Sequence, residues 1–206
     1  MAIYRLNLPL SKDEVKSLKM GDNIYVSGNI VTARDDAHKH ALELYEKGEK
    51  LPVNFKELAI YHCGPIMEKD QQEKWKVVAA GPTTSGRMEL FQDNFIEKFG
   101  TSLIIGKGGM GERTTAACRK FGAIYGMYTG GAALLAANQI KEVLEVHWFD
   151  LLGMPECLWV LKVEDFGPLL VGIDSHGNNF FTLNKEKTKQ SLPNAYKIID
   201  EVLGAN

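Results

Sequence analysis

Three stretches of the chain carry residue types suited to binding and transforming a small anion. The first is Gly81-Pro82-Thr83-Thr84-Ser85-Gly86-Arg87-Met88. It follows the apolar run Val77-Val78-Ala79-Ala80. Its hydroxyls and guanidinium therefore stand at the carboxyl end of a predicted strand, where open α/β sheets bind ligands. A helix starting there adds backbone donors and the positive end of its dipole. Such a turn suits a carboxylate or a phosphate. The same residues also fit an ordinary helix start, with Ser and Thr satisfying the first free amides.

The second stretch is Ile104-Ile105-Gly106-Lys107-Gly108-Gly109-Met110-Gly111. Its glycines allow close approach of backbone to ligand, and Lys107 adds one ammonium. No Ser or Thr follows Lys107, so this is not a Walker phosphate loop. The GxGxxG spacing is present, but late in the chain and without the acidic residue a dinucleotide fold needs after its second strand. A tight turn with an exposed lysine is the alternative. The third is Arg34, between the β-rich Ile30-Val31-Thr32-Ala33 and the acids Asp35 and Asp36. It can meet an anion or simply pair locally.

Two further motifs contain reactive types. In Tyr61-His62-Cys63-Gly64-Pro65 a base and a thiolate are conceivable, but a core histidine and a buried thiol are the commoner use. Asp174-Ser175-His176-Gly177-Asn178 reads as a turn. Its adjacent Ser and His do not make a triad, whose members meet in space rather than in sequence.

The elements that must position these residues alternate between short β-like runs and helical runs. Ile3 to Leu8 reads as a half-buried strand. Ser11 and Glu14 form a capping-box pattern opening a helix to about Leu18. Asn23 to Thr32 is β-rich, with a bend at Gly28. Asp35 and Asp36 are expected to cap a helix running to Gly48. Leu58 to His62, Lys76 to Ala79 and Ser102 to Ile105 read as buried strands. Helices are expected over Met88 to Phe99 and Glu112 to Lys120. Gly122 to Met127, Glu142 to Trp148, Cys157 to Val163 and Leu169 to Ile173 are further strands, and Asn194 to Leu203 a C-terminal helix. This grammar predicts an α/β fold with a mixed or parallel sheet under helices. The hairpin-prone N-terminal third suggests a second, antiparallel layer.

The chain has 206 residues, 45% hydrophobic and 24% charged, with a formal net charge of −2. That fits one domain over residues 1–206 with a sizeable core. Nothing in the charge points to nucleic acid or membrane as a partner. The three cysteines, Cys63, Cys118 and Cys157, are too far apart for a CxxC metal motif. They read as reduced thiols of a cytoplasmic protein. The N-terminus shows no secretory apolar region.

Taken in order, YHCGP, GPTTSGRM, IGKGGM, GGAA (Gly130 to Ala133), WFDLLGMPECLWVLKVEDFGPLLV and IDSHGN resemble the β-type subunit of class I fumarate hydratases and L-tartrate dehydratases. These are iron–sulfur hydro-lyases, and the resemblance runs from about Leu6 to Asn178. It implies a swivelling β/β/α three-layer domain with mixed sheets. It implies reversible addition of water across a carbon–carbon double bond flanked by carboxylates, with fumarate and L-malate as the first reading and L-tartrate as the second. A non-catalytic anion-binding module is the reading from another class. The [4Fe–4S] cluster is implied to sit on three cysteines of an α-type partner subunit, so this chain holds no metal. The implied assembly is a heterotetramer, and self-association of the lone chain is a further expectation. By matching motifs, Arg34, Arg87 and Lys107 are implied to bind the substrate dicarboxylate, and Thr83, Arg87 and Lys107 to be catalytic, with the Thr83 hydroxyl as the base. One position departs from the family pattern: Glu89 stands where a shorter Asp or Asn follows Met. That bears on substrate choice more than on reaction class.

Overall fold

The computed structural model describes residues 2–204. In chain order the elements are β1 (Ile3–Asn7), α1 (Lys12–Ser17), β2 (Asn23–Thr32), α2 (Asp35–Glu46), β3 (Ala59–Tyr61), β4 (Ile66–Lys69), β5 (Trp75–Ala79) and α3 (Gln92–Phe99). They continue with β6 (Leu103–Gly106), α4 (Glu112–Phe121), β7 (Ile124–Met127), α5 (Ala133–Gln139), β8 (Ile140–His147), α6 (Phe149–Leu152), β9 (Leu158–Ile173) and α7 (Phe180–Leu203). Short 3₁₀ segments cover Phe55–Glu57 and Ser85–Leu90.

The fold is α/β with a mixed sheet, as the sequence predicts. Seven strands run in the order β1-β2-β3-β6-β7-β9-β8, and β2 also pairs with β9. The extra pairing closes a circuit through β2, β3, β6, β7 and β9. Strands β1, β2, β3, β6 and β7 are mutually parallel, whereas β9 runs antiparallel to β2, β7 and β8.

Side-chain alternation along each strand separates inside from outside. Ile24, Ile30, Tyr61, Ile105, Ile124, Trp159, Leu161 and Phe166 fill the enclosed core. Their sequence neighbours Val31, Ile60, Leu158 and Val160 face outward onto the Phe55–Phe95–Phe99 cluster, which includes residues of α2 and α3. Ile104, Tyr125 and Ile173 face outward with Ile96 of α3 and Ala117 and Cys118 of α4. Burying each large apolar side chain contributes about 1.5–3 kcal/mol. At Gly28, φ is 132° and an added Cβ would lie 2.9 Å from Leu8 Cβ, so the bend in β2 requires glycine.

Several expectations need correction. The capping box at Ser11 and Glu14 is present, but Asp35 and Asp36 do not cap α2. They lie in its first turn, behind Arg34 as N-cap. Lys76 to Ala79 is not a buried strand: β5 alternates half-buried and exposed residues in a two-stranded sheet with β4. In the N-terminal third, β1 and β2 are parallel, and the antiparallel neighbour of β2 is the distant β9. Met88 to Phe99 splits into the 3₁₀ turn and α3. The strands expected over Cys157 to Val163 and Leu169 to Ile173 are parts of one 16-residue strand, β9, which starts at Leu158. The C-terminal helix starts at Phe180 rather than Asn194 and contains Pro193. No helix among the described residues is long and apolar enough to cross a membrane.

Candidate active site

The site is an edge of the sheet, built where β2, β3, β6 and β7 all end. The segment Pro82 to Ser85 is stitched between two of those ends. Thr83 N donates to His62 O at 2.7 Å, just past β3. Lys107 N, just past β6, donates to Thr83 O at 3.1 Å, and Ser85 N returns a bond to Lys107 O at 2.9 Å. Thr83 is thus pinned by its main chain on both sides while its side chain remains half-buried.

The other residues gather around this segment. Arg34 follows β2, and its Nη1 lies so close to Gly64 that an added Cβ there would be 2.6 Å away. Gly64 adjoins Cys63, which bridges to Pro82. The Arg34 Nε is 3.1 Å from Glu156 Oε1, yet it meets no aligned hydrogen-bond acceptor. Charge attraction holds this arginine, and its donors are not consumed. Burial raises the Glu156 carboxyl above its ordinary range, with Arg34 pulling the other way. Arg87 leaves the 3₁₀ turn and reaches Asp35 on α2 with Nε, at 3.2 Å from Oδ1, and with Nη2. The hydrogen bond from Arg87 holds the Asp35 carboxyl below its ordinary range. The Lys107 stem passes Gly130 after β7, where an added Cβ would be 3.0 Å from Lys107 Cδ. Among the described residues Lys107 has no ion-pair partner.

The structure therefore brings Arg34, Thr83, Arg87 and Lys107 to one edge, from three separate turns. Two guanidiniums and an ammonium can hold a dianion, because planar guanidiniums match carboxylates in a bidentate way.

Sequence reasoning missed the polar layer beneath this edge. His62, His38, Gln92 and Ser85 are all fully buried. His62 Nδ1 lies 2.9 Å from Ser85 Oγ, and His62 Nε2 lies 2.9 Å from Gln92 Oε1. Tyr125 OH reaches both Ser85 Oγ at 3.0 Å and Gly108 O at 2.9 Å. His62 is a core histidine, as expected, but one that underpins the site. Its burial, reinforced by His38, lowers its pKa to about 3, and burial lowers that of His38 to about 4. Cys63 is a buried thiol pushed well up by burial.

The glycine-rich loop does not serve a nucleotide. The α4 N-terminus to which it leads is already filled by the Glu89 carboxylate. Glu89 accepts from Gly111 N at 2.7 Å, Arg113 N at 3.0 Å and Thr114 N at 3.2 Å, and from Thr114 Oγ1 at 2.7 Å. The departure at Glu89 is therefore a helix cap rather than a substrate contact. The 174–178 motif is an Asp-centred turn, with Asp174 accepting from Met20, His176 and Asn178.

An iron–sulfur cluster does not fit this chain's own thiols. All three cysteines are free and buried. Cys63 and Cys157 belong to the enclosed core and Cys118 to an outer cluster. No group of three or more His, Cys, Asp or Glu among the described residues is placed to hold a metal.

Fold and edge together define an α/β protein with a cationic site at the carboxyl ends of its parallel strands. The chain belongs to the Fumarase C-terminus family, whose model matches residues 2–184. It is 46% identical over 181 residues to the L(+)-tartrate dehydratase subunit beta of Escherichia coli K12, covering 88% of each chain. It is 44% identical over 183 residues to a Methanocaldococcus jannaschii protein provisionally given that same name, covering 89% of this chain and 93% of the relative. A Geobacillus stearothermophilus protein provisionally named class I fumarate hydratase is 40% identical over 190 residues, which are 92% of this chain and 35% of that longer one.

Proposed function

We propose that this chain is the β-type subunit of a two-chain hydro-lyase acting on a four-carbon dicarboxylate, fumarate in one direction and L-malate in the other. The gathering of Arg34, Arg87, Lys107 and Thr83 on one sheet edge carries the reading. Arg34 and Arg87 clamp the two carboxylates. Fixing a carboxylate among cations makes the neighbouring C–H more acidic, because the charge that develops on proton loss is stabilised in place. Thr83 Oγ1 takes that proton during dehydration and returns it during hydration. A free threonine is a weak base, so Lys107 and the arginines must favour its deprotonated form. Substrate must compete with Asp35 for Arg87.

The reading assigns to an α-type partner a [4Fe–4S] cluster, which supplies the Lewis acid that polarises the hydroxyl. This chain alone supplies only the clamp and the base. A second substrate, L(+)-tartrate, is favoured by the name of the 46% identical relative. The test is reconstitution with an α-type subunit, assaying fumarate hydration and L(+)-tartrate dehydration side by side. The larger kcat/KM assigns the substrate. Activity of the lone, iron-free chain would overturn the two-chain reading.

A further inference from the structure

The hydrogen bonds of the buried polar layer start from one fixed point. The Arg34 carbonyl can only accept, so His38 Nδ1, 2.7 Å away, must carry its proton. Neutral His38 then presents a bare Nε2, which has no partner in the hydrogen-bond geometry, and Gln92 Nε2 likewise lacks one. One is an acceptor and the other a donor. Gln92 bonds the His62 imidazole, against which the His38 ring packs. Gln92 Oε1 accepts from His62 Nε2. That leaves His62 Nδ1 to accept from the Ser85 hydroxyl, and Ser85 Oγ to share the single Tyr125 proton with Gly108 O.

Each end of this chain of bonds abuts a candidate site residue. One end is the carbonyl of Arg34 itself. Ser85 lies midway between Thr83 and Arg87 in sequence, and the Tyr125 hydroxyl also holds Gly108, the neighbour of Lys107. The two imidazoles touch edge to face, with centroids 5.3 Å apart. Room for the crossing is kept by Gly106, where an added Cβ would lie 1.9 Å from Ser85 Oγ and 3.0 Å from His62 Nδ1. The three turns thus rest on one shared, water-excluded layer.

We propose that Ser85, His62 and Gln92 are positioning residues that fix the three cation-bearing turns in a single relative geometry, a role that rests on the hydro-lyase reading of the same edge. Hydrogen bonds in a low-dielectric interior are stronger than exposed ones, so the bonds of His62 to Ser85 and Gln92 hold the layer in one arrangement. A displacement of about 1 Å in a clamp costs about 10²-fold in rate.

The test uses the reconstituted two-chain enzyme, reading kcat and KM alongside the folding midpoint of each purified variant. Ser85→Ala removes the central hydroxyl, and Tyr125→Phe removes one oxygen while keeping the ring. Ser85→Ala is expected to lower kcat and raise KM together, with kcat/KM down at least about 10-fold. Tyr125→Phe is expected to lose about 3-fold or more. His62→Asn offers an oxygen near the position of Nδ1 and is expected to recover most of the activity that His62→Leu loses, a rescue that bulk packing would not produce. If Ser85→Ala fails to fold, Tyr125→Phe decides alone. Arg87→Lys separates the two ideas. If Arg87→Lys is crippled while the folded network variants stay within about 2-fold of the unmodified enzyme, the positioning role is wrong. If Arg87→Lys is itself near normal, the hydro-lyase reading of the loop fails, and the positioning role falls with it.

Discussion

Arg87 and Asp35, 52 residues apart in sequence, face each other fork to fork, Nε to Oδ1 and Nη2 to Oδ2. Asp35 thereby occupies the guanidinium face that a substrate carboxylate needs. The pair is partly solvent-exposed, at 49% and 32% for the two side chains. Exposed pairs contribute at most about 1 kcal/mol, so competition from Asp35 weakens dicarboxylate binding by at most about 5-fold. Asp35→Asn should accordingly lower KM by a few-fold in the reconstituted enzyme and leave the folding midpoint almost unchanged. A raised KM would mean that Asp35 aims Arg87 rather than competing for it.

Arg87→Lys keeps the charge and loses the planar fork. If the fork grips a carboxylate more tightly in the transition state, kcat/KM should fall by about 10²-fold, or roughly 3 kcal/mol. Stability should barely change, because the side chain is half exposed. Thr83→Val keeps the shape and removes the hydroxyl. It should depress kcat strongly with a smaller effect on KM. Steady-state kinetics of both variants check this, and a Thr83→Val enzyme with normal kcat would remove threonine from the chemistry.

The parts of the fold written in local signals were legible. The Ser11–Glu14 box, the Gly28 bend, the apolar run before Gly106 and the helix expected over Glu112 to Lys120 each depend on a few adjacent residues. The long strand β9 was not. It was expected as two strands, Cys157 to Val163 and Leu169 to Ile173, and between them Asp165 has φ 46° and Gly167 φ 153°. Pairing with β2, β7 and β8 carries the strand through. The C-terminal helix was expected only from Asn194, although α7 opens at Phe180, with Asn179 Oδ1 accepting from Phe181 N and Thr182 N, and runs through Pro193. At the site, residue types at strand ends pointed to Arg34, Thr83, Arg87 and Lys107. The bonds of His62 to Ser85 and Gln92 span 23 and 30 residues. No periodicity encodes such distances, so only the closed sheet reveals them.

The buried imidazoles set a pH dependence with a definite sign. Both carry an ordinary pKa of 6.5 when unfolded, lowered on folding to about 4 for His38 and about 3 for His62. Between pH 6.5 and 4 the unfolded chain binds more protons than the folded one, so stability falls as pH falls through that window. For two such groups the loss between pH 7 and pH 5 is on the order of 3 kcal/mol. Asp35 and Asp174, both held below their ordinary range, add to the loss only nearer pH 4. Glu156, raised by burial, opposes it there. Guanidinium unfolding of the lone chain at pH 7 and pH 5 measures the difference, and His62→Asn should make the slope shallower. Equal stability at the two pH values would show that the imidazoles are not held neutral.

Glu89 supplies the last prediction, because its carboxylate does for α4 what a phosphate does in nucleotide loops. It takes three backbone N–H groups and the hydroxyl of Thr114, which is fully buried. A carboxylate at a helix start gains from both the free donors and the dipole. Glu89→Ala strands all four donors, two of them on the fully buried Thr114. The expected loss is about 2 kcal/mol, read as a lower guanidinium midpoint. Glu89→Asp has a shorter reach and should fall between the two. The vacated helix start in Glu89→Ala should also accept a free anion, so sulfate should restore part of the lost stability, beyond its general effect on the unmodified chain. A loss below about 0.5 kcal/mol, the range of neutral surface changes, or the absence of any selective sulfate effect, would show that the loop from Gly106 to Gly111 holds α4 without its cap.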